Sequence, residues 1–196
     1  FHFDHLRRRY VVAHAALRSV LAGYLIRPPS DVTFSVNDWG KLRIPGGPYF
    51  SLAHSDDLAV IAVDPEREVG IDLETGSIGL TRDEVTHVLS PDELADPRER
   101  DLAQADLLRL WVRKEAVLKS LGKGLAHAPS RVTVGFHSAD FDRWREVSTI
   151  DDGLRHDFHM LDIRMDGMTC AVARRDHPLT SGTIALRSWS PTSQAS

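Results

Sequence analysis

Two long helical runs, each followed by strand-patterned segments, constrain this chain more than any other feature. From about Asp4 to Leu25, the residues Val12, Ala16, Leu17, Val20, Leu21 and Tyr24 recur at helical spacing. Arg7, Arg8, Arg9 and Arg18 decorate the remaining faces, and Pro28-Pro29 stops the run. Strand patterns follow at Val32 to Val36, Tyr49 to Ala53, Leu58 to Val63 and Val69 to Leu73. Thr81-Arg82-Asp83-Glu84 and Ser90-Pro91-Asp92-Glu93 have capping-box spacing for short helices. A second long helix is predicted from about Pro97 to Leu121, stopped by Gly122 and Gly124. Strands then return at Val132 to Phe136, Phe158 to Met165 and Met168 to Arg174, with Asp166-Gly167 turning the last pair. This order predicts an α+β fold of two similar halves, residues 1–66 and 67–190, joined near Asp64 to Glu68, with a flexible tail over 191–196.

Composition narrows the function. Of 196 residues, 42% are hydrophobic and 27% charged, enough for a core and against disorder of the whole chain. The net charge of −4 argues against a protein that coats nucleic acid. Apolar runs stay short, Leu58 to Val63 among the longest, so no membrane span is expected. Cys170 is the single cysteine, which rules out an internal disulfide and a cysteine-built metal site and makes a reducing cytoplasm the expected compartment. Its simplest reading is a buried strand residue, and Met160, Met165 and Met168 read as core or hairpin residues.

The chemistry concentrates in two stretches. In Gly70-Ile71-Asp72-Leu73-Glu74 a strand sends Asp72 and Glu74 to one face and Ile71 and Leu73 to the other. Two adjacent carboxylates repel unless a cation or proton sits between them, and Mg²⁺ suits such a set; a solvated acidic strand face explains the pattern as well. On the second helix Trp111, Glu115 and Lys119 are four apart and form one stripe. Glu115 and Lys119 also stand in the order of an ordinary surface ion pair, worth only about 0.3–0.5 kcal/mol. Together, Asp72, Glu74 and Glu115 could hold one Mg²⁺, with Lys119 placed to meet a phosphate. Gly122-Lys123-Gly124 follows a helix and does not open one, so a Walker-type nucleotide site is not expected.

These residues carry a resemblance. Gly70, Ile71, Asp72 and Glu74 match G-[IV]-D-x-E, and Trp111, Lys114, Glu115, Ala116, Lys119, Gly122, Gly124 and Leu125 match W-x-x-K-E-[AS]-x-x-K-x-x-G-x-G-L. Gly40-Lys41 and the Phe50, His54, Ser55 element precede them in order. In these motifs the chain resembles the Sfp-type 4′-phosphopantetheinyl transferases. The resemblance implies transfer of the 4′-phosphopantetheine arm of coenzyme A to a serine of an acyl, peptidyl or aryl carrier protein, with release of 3′,5′-ADP. It implies Mg²⁺ on Asp72, Glu74 and Glu115, a phosphate contact from Lys119, and a nucleotide end held by Arg9, Lys41 and His54. It further implies halves related by a pseudo-twofold axis, and a monomer. Arg18, nine positions from Arg9 and half a turn out of phase, is expected to be structural or solvated.

Three departures from the family pattern stand out. Leu42 replaces the proline of G-K-P, Ala53 replaces the serine before His54, and the chain begins too late for the basic N-terminal segment of the family; truncation is the expectation. Glu115 is the first choice of base for the serine proton and Glu93, read mainly as a capping-box residue, a possible auxiliary acid group. Arg98, Arg100 and Arg109 are available to an acidic partner, although a solvated helix face explains them equally. Two alternatives use the same residues: a Mg²⁺-dependent phosphodiesterase or pyrophosphatase acting on coenzyme A or a related nucleotide, and a non-catalytic binding module, which would be expected to have lost an acidic ligand.

Overall fold

A computed structural model describes residues 4–76, 82–141, 143–175 and 184–189. The helix α1 spans Asp4–Leu25, and its buried stripe is Ala13, Ala16, Leu17, Leu21 and Ala22. The stripe is narrower than the apolar periodicity predicts, because Val12 and Tyr24 remain exposed while small alanines bring the helix close to its neighbours. Those neighbours are Val32, Ile44 and Phe50. Of its two expected roles, structural or solvated, Arg18 takes the structural one: its guanidinium donates to the carbonyls of Val32 and Pro29 and holds the returning chain. Only Ser35–Val36 (β1) of the predicted 32–36 strand pairs, with Leu42–Arg43 (β2), because Pro29–Asp31 forms a 3₁₀ turn just before it. The hairpin β3 (Tyr49–Ser55) and β4 (Leu58–Asp64) runs two residues beyond the expected end of its first strand and turns at Asp56, which takes φ +50°.

Four antiparallel strands form the main sheet, in the order β5 (Val69–Thr75), β8 (Met168–Arg175), β7 (Leu154–Ile163) and β6 (Arg145–Asp151). Short helices α2 (Arg82–Val88) and α3 (Pro91–Ala95) precede α4 (Gln104–Leu121). One face of the sheet gives Phe158, Met160, Ala171 and Ala173 to a core shared with α4. The opposite face gives Ile71, Leu73, Leu161, Cys170 and Val172 to a core shared with Ala53, Val60 and Ala62 of the β3–β4 hairpin. The class is therefore α+β. Cys170 is a buried strand residue, and burial raises its thiol to about 12.

Three expectations are corrected. The long second helix starts later than Pro97: Pro97–Asp101 is a 3₁₀ turn, and Leu102 and Ala103 are extended before α4 begins. Val132 to Phe136 is no strand. Its backbone finds side-chain partners instead, with Val134 and Gly135 N–H donating to Glu93 Oε1 at 2.9 and 3.0 Å, and Lys114 donating to the carbonyl of Val132. The strand β6 was not foreseen, although Asp152-Gly153, both at positive φ, is a hairpin signal ahead of β7. Thr81 and the 191–196 tail lie outside the described residues. No helix among the described residues is long and apolar enough to cross a membrane.

Candidate functional site

Gly70 sets the distance between the two motif-bearing elements. A Cβ built there would lie 2.1 Å from the carbonyl oxygen of Ala116 and 2.3 Å from the amide nitrogen of Ser120. Only a residue without a side chain lets β5 carry α4 this close. Two residues on, Asp72 meets the helix, and Lys119 Nζ donates to its Oδ1 at 2.6 Å. Lys119 is thus paired across the elements, which is stronger placement than the surface pair its spacing to Glu115 allows. Glu74, half-buried, accepts from Ser55 Oγ at 3.0 Å, and the same hydroxyl accepts from Thr75 N–H at 3.2 Å. The β3 end is thereby tied to the β5 end.

The electrostatics of the acidic set are unbalanced. Asp72 Oδ2 and Glu115 Oε1 are buried with no hydrogen-bond partner. Burial pushes the Asp72 carboxyl above its ordinary range against the pull of Lys119, and Glu74 adds to the rise. Burial likewise raises Glu115, reinforced by Asp72 and Glu74. Orphaned carboxylate oxygens that repel one another are what a hard cation would relieve. By that test the donor set fits Mg²⁺ in chemistry. Among the described residues, however, no group of three His, Cys, Asp or Glu side chains is closed up well enough to hold a metal ion as it stands.

Beside Lys119 opens a cleft of about 350 Å³ lined by His14, Trp39, Lys41, Ser51, His54 and Gly122, among others. His54 is exposed on β3 at its wall. Lys41 reaches the cleft, but its ammonium points to Glu68 Oε2 (2.6 Å), Lys119 O (2.8 Å) and Val69 O (3.1 Å). Arg9 is not brought to this cleft. Its Nε donates to Asp57 Oδ1 at 2.8 Å, in a separate depression that Asp4, His5 and Arg8 also line.

Neighbouring motif residues have scaffold roles. Lys114 and Glu93 are fully buried and paired at 2.6 Å, with Glu93 also closing the capping box on Ser90. Arg113 makes a buried pair with Asp162 at 2.6 Å and donates to the carbonyls of Gly135, His137 and Ser138. Glu93 is therefore a structural carboxylate, remote in role from acid catalysis. Glu68, Asn37 and Trp39 carry no role in the sequence reading, nor does the link that Ser55, read there only as a motif residue, makes to Glu74. Trp39 sits under the cation of Lys123, 5.2 Å from the ring centroid, and Asn37 organises the turn by accepting from the N–H groups of Trp39 and Lys41. Asn37 preceding Gly40 was the one local signal available.

Comparison with known proteins adds an independent line. The family model of the 4′-phosphopantetheinyl transferase superfamily matches residues 68–173, just over half of the chain. The chain is 36% identical over 143 residues to the 4′-phosphopantetheinyl transferase HetI of Nostoc sp., covering 64% of this chain and 56% of the relative. A 4′-phosphopantetheinyl transferase of Bacillus subtilis is 33% identical over 132 residues, with 61% and 58% covered. The L-aminoadipate-semialdehyde dehydrogenase-phosphopantetheinyl transferase of Xenopus laevis is 26% identical over 148 residues, with 67% and 49% covered. The chain spans only about half the length of these curated relatives.

Proposed function

The chain belongs to the 4′-phosphopantetheinyl transferase superfamily, and from that premise we propose that it moves the 4′-phosphopantetheine arm of coenzyme A onto a serine of an apo carrier protein, releasing 3′,5′-ADP. One observation carries the reading: Asp72 and Glu115 present orphaned buried oxygens, and Lys119, bonded to Asp72, lines a cleft large enough for part of a nucleotide. Coenzyme A lies in the cleft with its pyrophosphate toward Lys119, and His54 faces its nucleotide end. Arg9 serves the same end only if it leaves Asp57. Asp72, Glu74 and Glu115 would hold Mg²⁺, which would supply charge neutralisation for the pyrophosphate. Lys119 gives up part of its bond to Asp72 to meet the phosphate that is attacked. Glu115 takes the proton of the carrier serine, and because it also serves as a metal ligand it is a weaker base than a free carboxylate.

The halves 1–66 and 67–190 are taken as related by a pseudo-twofold axis. Supporting this, each sets one long helix against antiparallel strands, α1 on β3 and β4, α4 on β5 and β8. A monomer is proposed on the resemblance alone, and a cytoplasmic location on the single cysteine, Cys170, which is free and buried.

Intact-mass measurement of an apo carrier protein incubated with the chain, coenzyme A and Mg²⁺ tests the reading. The expected result is a gain of one phosphopantetheine arm that needs Mg²⁺ and falls by about 100-fold or more in Glu115→Gln. Consumption of coenzyme A without any gain on the carrier would replace transfer by hydrolysis.

A further inference from the structure

We propose that Lys41 is a positioning residue: its ammonium closes the C-terminal end of α4 and fastens it to β5, acting on the site through Lys119 rather than by touching the nucleotide. The inference rests on the transferase reading for its kinetic part only. An ammonium has three protons to donate, and Lys41 has three acceptors, Glu68 Oε2, Val69 O and Lys119 O, all within 3.1 Å. The last carbonyls of a helix lack intrahelical partners and carry the negative end of its dipole, so a cation placed there is favoured. Within α4 and its cap, Leu118 O is taken by Gly122 N–H, Lys119 O by Lys41, and Gly122 O by Asn37 Nδ2 at 2.7 Å. The turn of residues 37–43 therefore supplies a helix cap from a distant part of the chain.

Local geometry is built around this contact. Gly122 takes φ +84°, and a Cβ there would stand 3.4 Å from both Asn37 Nδ2 and Lys41 Cδ. Glu68 holds the ammonium from below while its other oxygen takes Arg43 Nη2 at 2.6 Å, and Ser120 Oγ donates to the Glu68 carbonyl at 3.1 Å. Both partners are nearly enclosed, with side chains 13% and 12% exposed. The backbone that Lys41 grips belongs to Lys119, whose own ammonium is set 2.6 Å from Asp72. Moving that carbonyl moves the phosphate-facing group. Glu68 does not line the cleft, so it shares the role without any access to a ligand.

The experiment compares Lys41→Met, Glu68→Gln and Lys41→Arg with the parent chain in two measurements. The first is hydrogen exchange of residues 117–124 without ligand. Lys41→Met and the isosteric Glu68→Gln should each accelerate exchange there by about tenfold, and Lys41→Arg should restore part of the protection. The second is transfer with coenzyme A and with 3′-dephospho-coenzyme A. Both variants should lower kcat by about tenfold, shift KM for coenzyme A by less than about twofold, and keep the preference between the two substrates. A changed preference or a KM effect in Lys41→Met, with Glu68→Gln near parental, would make Lys41 a ligand contact and overturn the proposal. Unchanged exchange in both variants would overturn it too. If the parent chain transfers nothing, the transferase reading falls, while exchange still decides whether Lys41 caps the helix.

Discussion

Consecutive residues of one helix face two kinds of interior. Arg113 and Lys114 are buried cations whose every contact is made: carboxylates at 2.6 Å and a set of backbone carbonyls that would otherwise be orphans. Glu115, next in sequence, has a buried oxygen with no partner and two like charges nearby. Burial alone does not distinguish scaffold from site here. Satisfaction separates these three neighbours: the fully paired buried charges fix the 129–140 segment, and the unpaired one is the residue proposed for the site.

The largest effect should come from breaking the satisfied side. Lys114→Met leaves Glu93 charged and buried, and should cost about 3–5 kcal/mol in urea unfolding. A loss under about 1 kcal/mol would erase the distinction drawn between Lys114 and its neighbour. Gly70→Ala comes next. It forces backbone apart where β5 and α4 touch and should cost about 1–3 kcal/mol, with transfer falling further than stability explains.

The unsatisfied side should respond with the opposite sign. Asp72 and Glu115 bind protons more tightly folded than unfolded, so their ionisation costs stability at every pH above the raised folded values. That cost falls away as pH drops through those values toward the unfolded range. In chelator-treated protein, Glu115→Gln should therefore raise stability at pH 7 by about 0.5–2 kcal/mol, and flatten the pH dependence, while transfer is lost. A destabilised Glu115→Gln under the same conditions would place Glu115 with the scaffold. The smallest effect is expected for Asp57→Ala. It removes a surface pair with Arg9 worth about 0.2–1 kcal/mol, and a tighter hold on coenzyme A, read as a lower KM, would show Arg9 released toward the ligand.

The parts legible in the sequence were those set by local rules. The bounds of α1, the β3–β4 hairpin and the Ser90–Glu93 box follow from periodicity, turn residues and cap spacing. Residue type and spacing single out Asp72 and Glu115 in the sequence, but not the burial of their oxygens, which depends on how β5 packs against α4 and the β3–β4 hairpin. What escaped depends on partners far apart in the chain. Val132 to Phe136 has the composition of a strand, yet its hydrogen bonds go to Glu93 and Lys114, which no local pattern joins to it. Glu68 reads as a turn acid until the fold sets two cations on it.

Gly70 has a consequence for genetics. What a side chain there would strike is the carbonyl of residue 116 and the amide of residue 120, atoms that every amino acid brings. No exchange of side chains at 116 or 120 can clear that space. A selection for intragenic suppressors of a Gly70 replacement should therefore return true revertants and no second-site changes at those two positions, and the motif glycine would behave as an allele that its nearest neighbours cannot rescue.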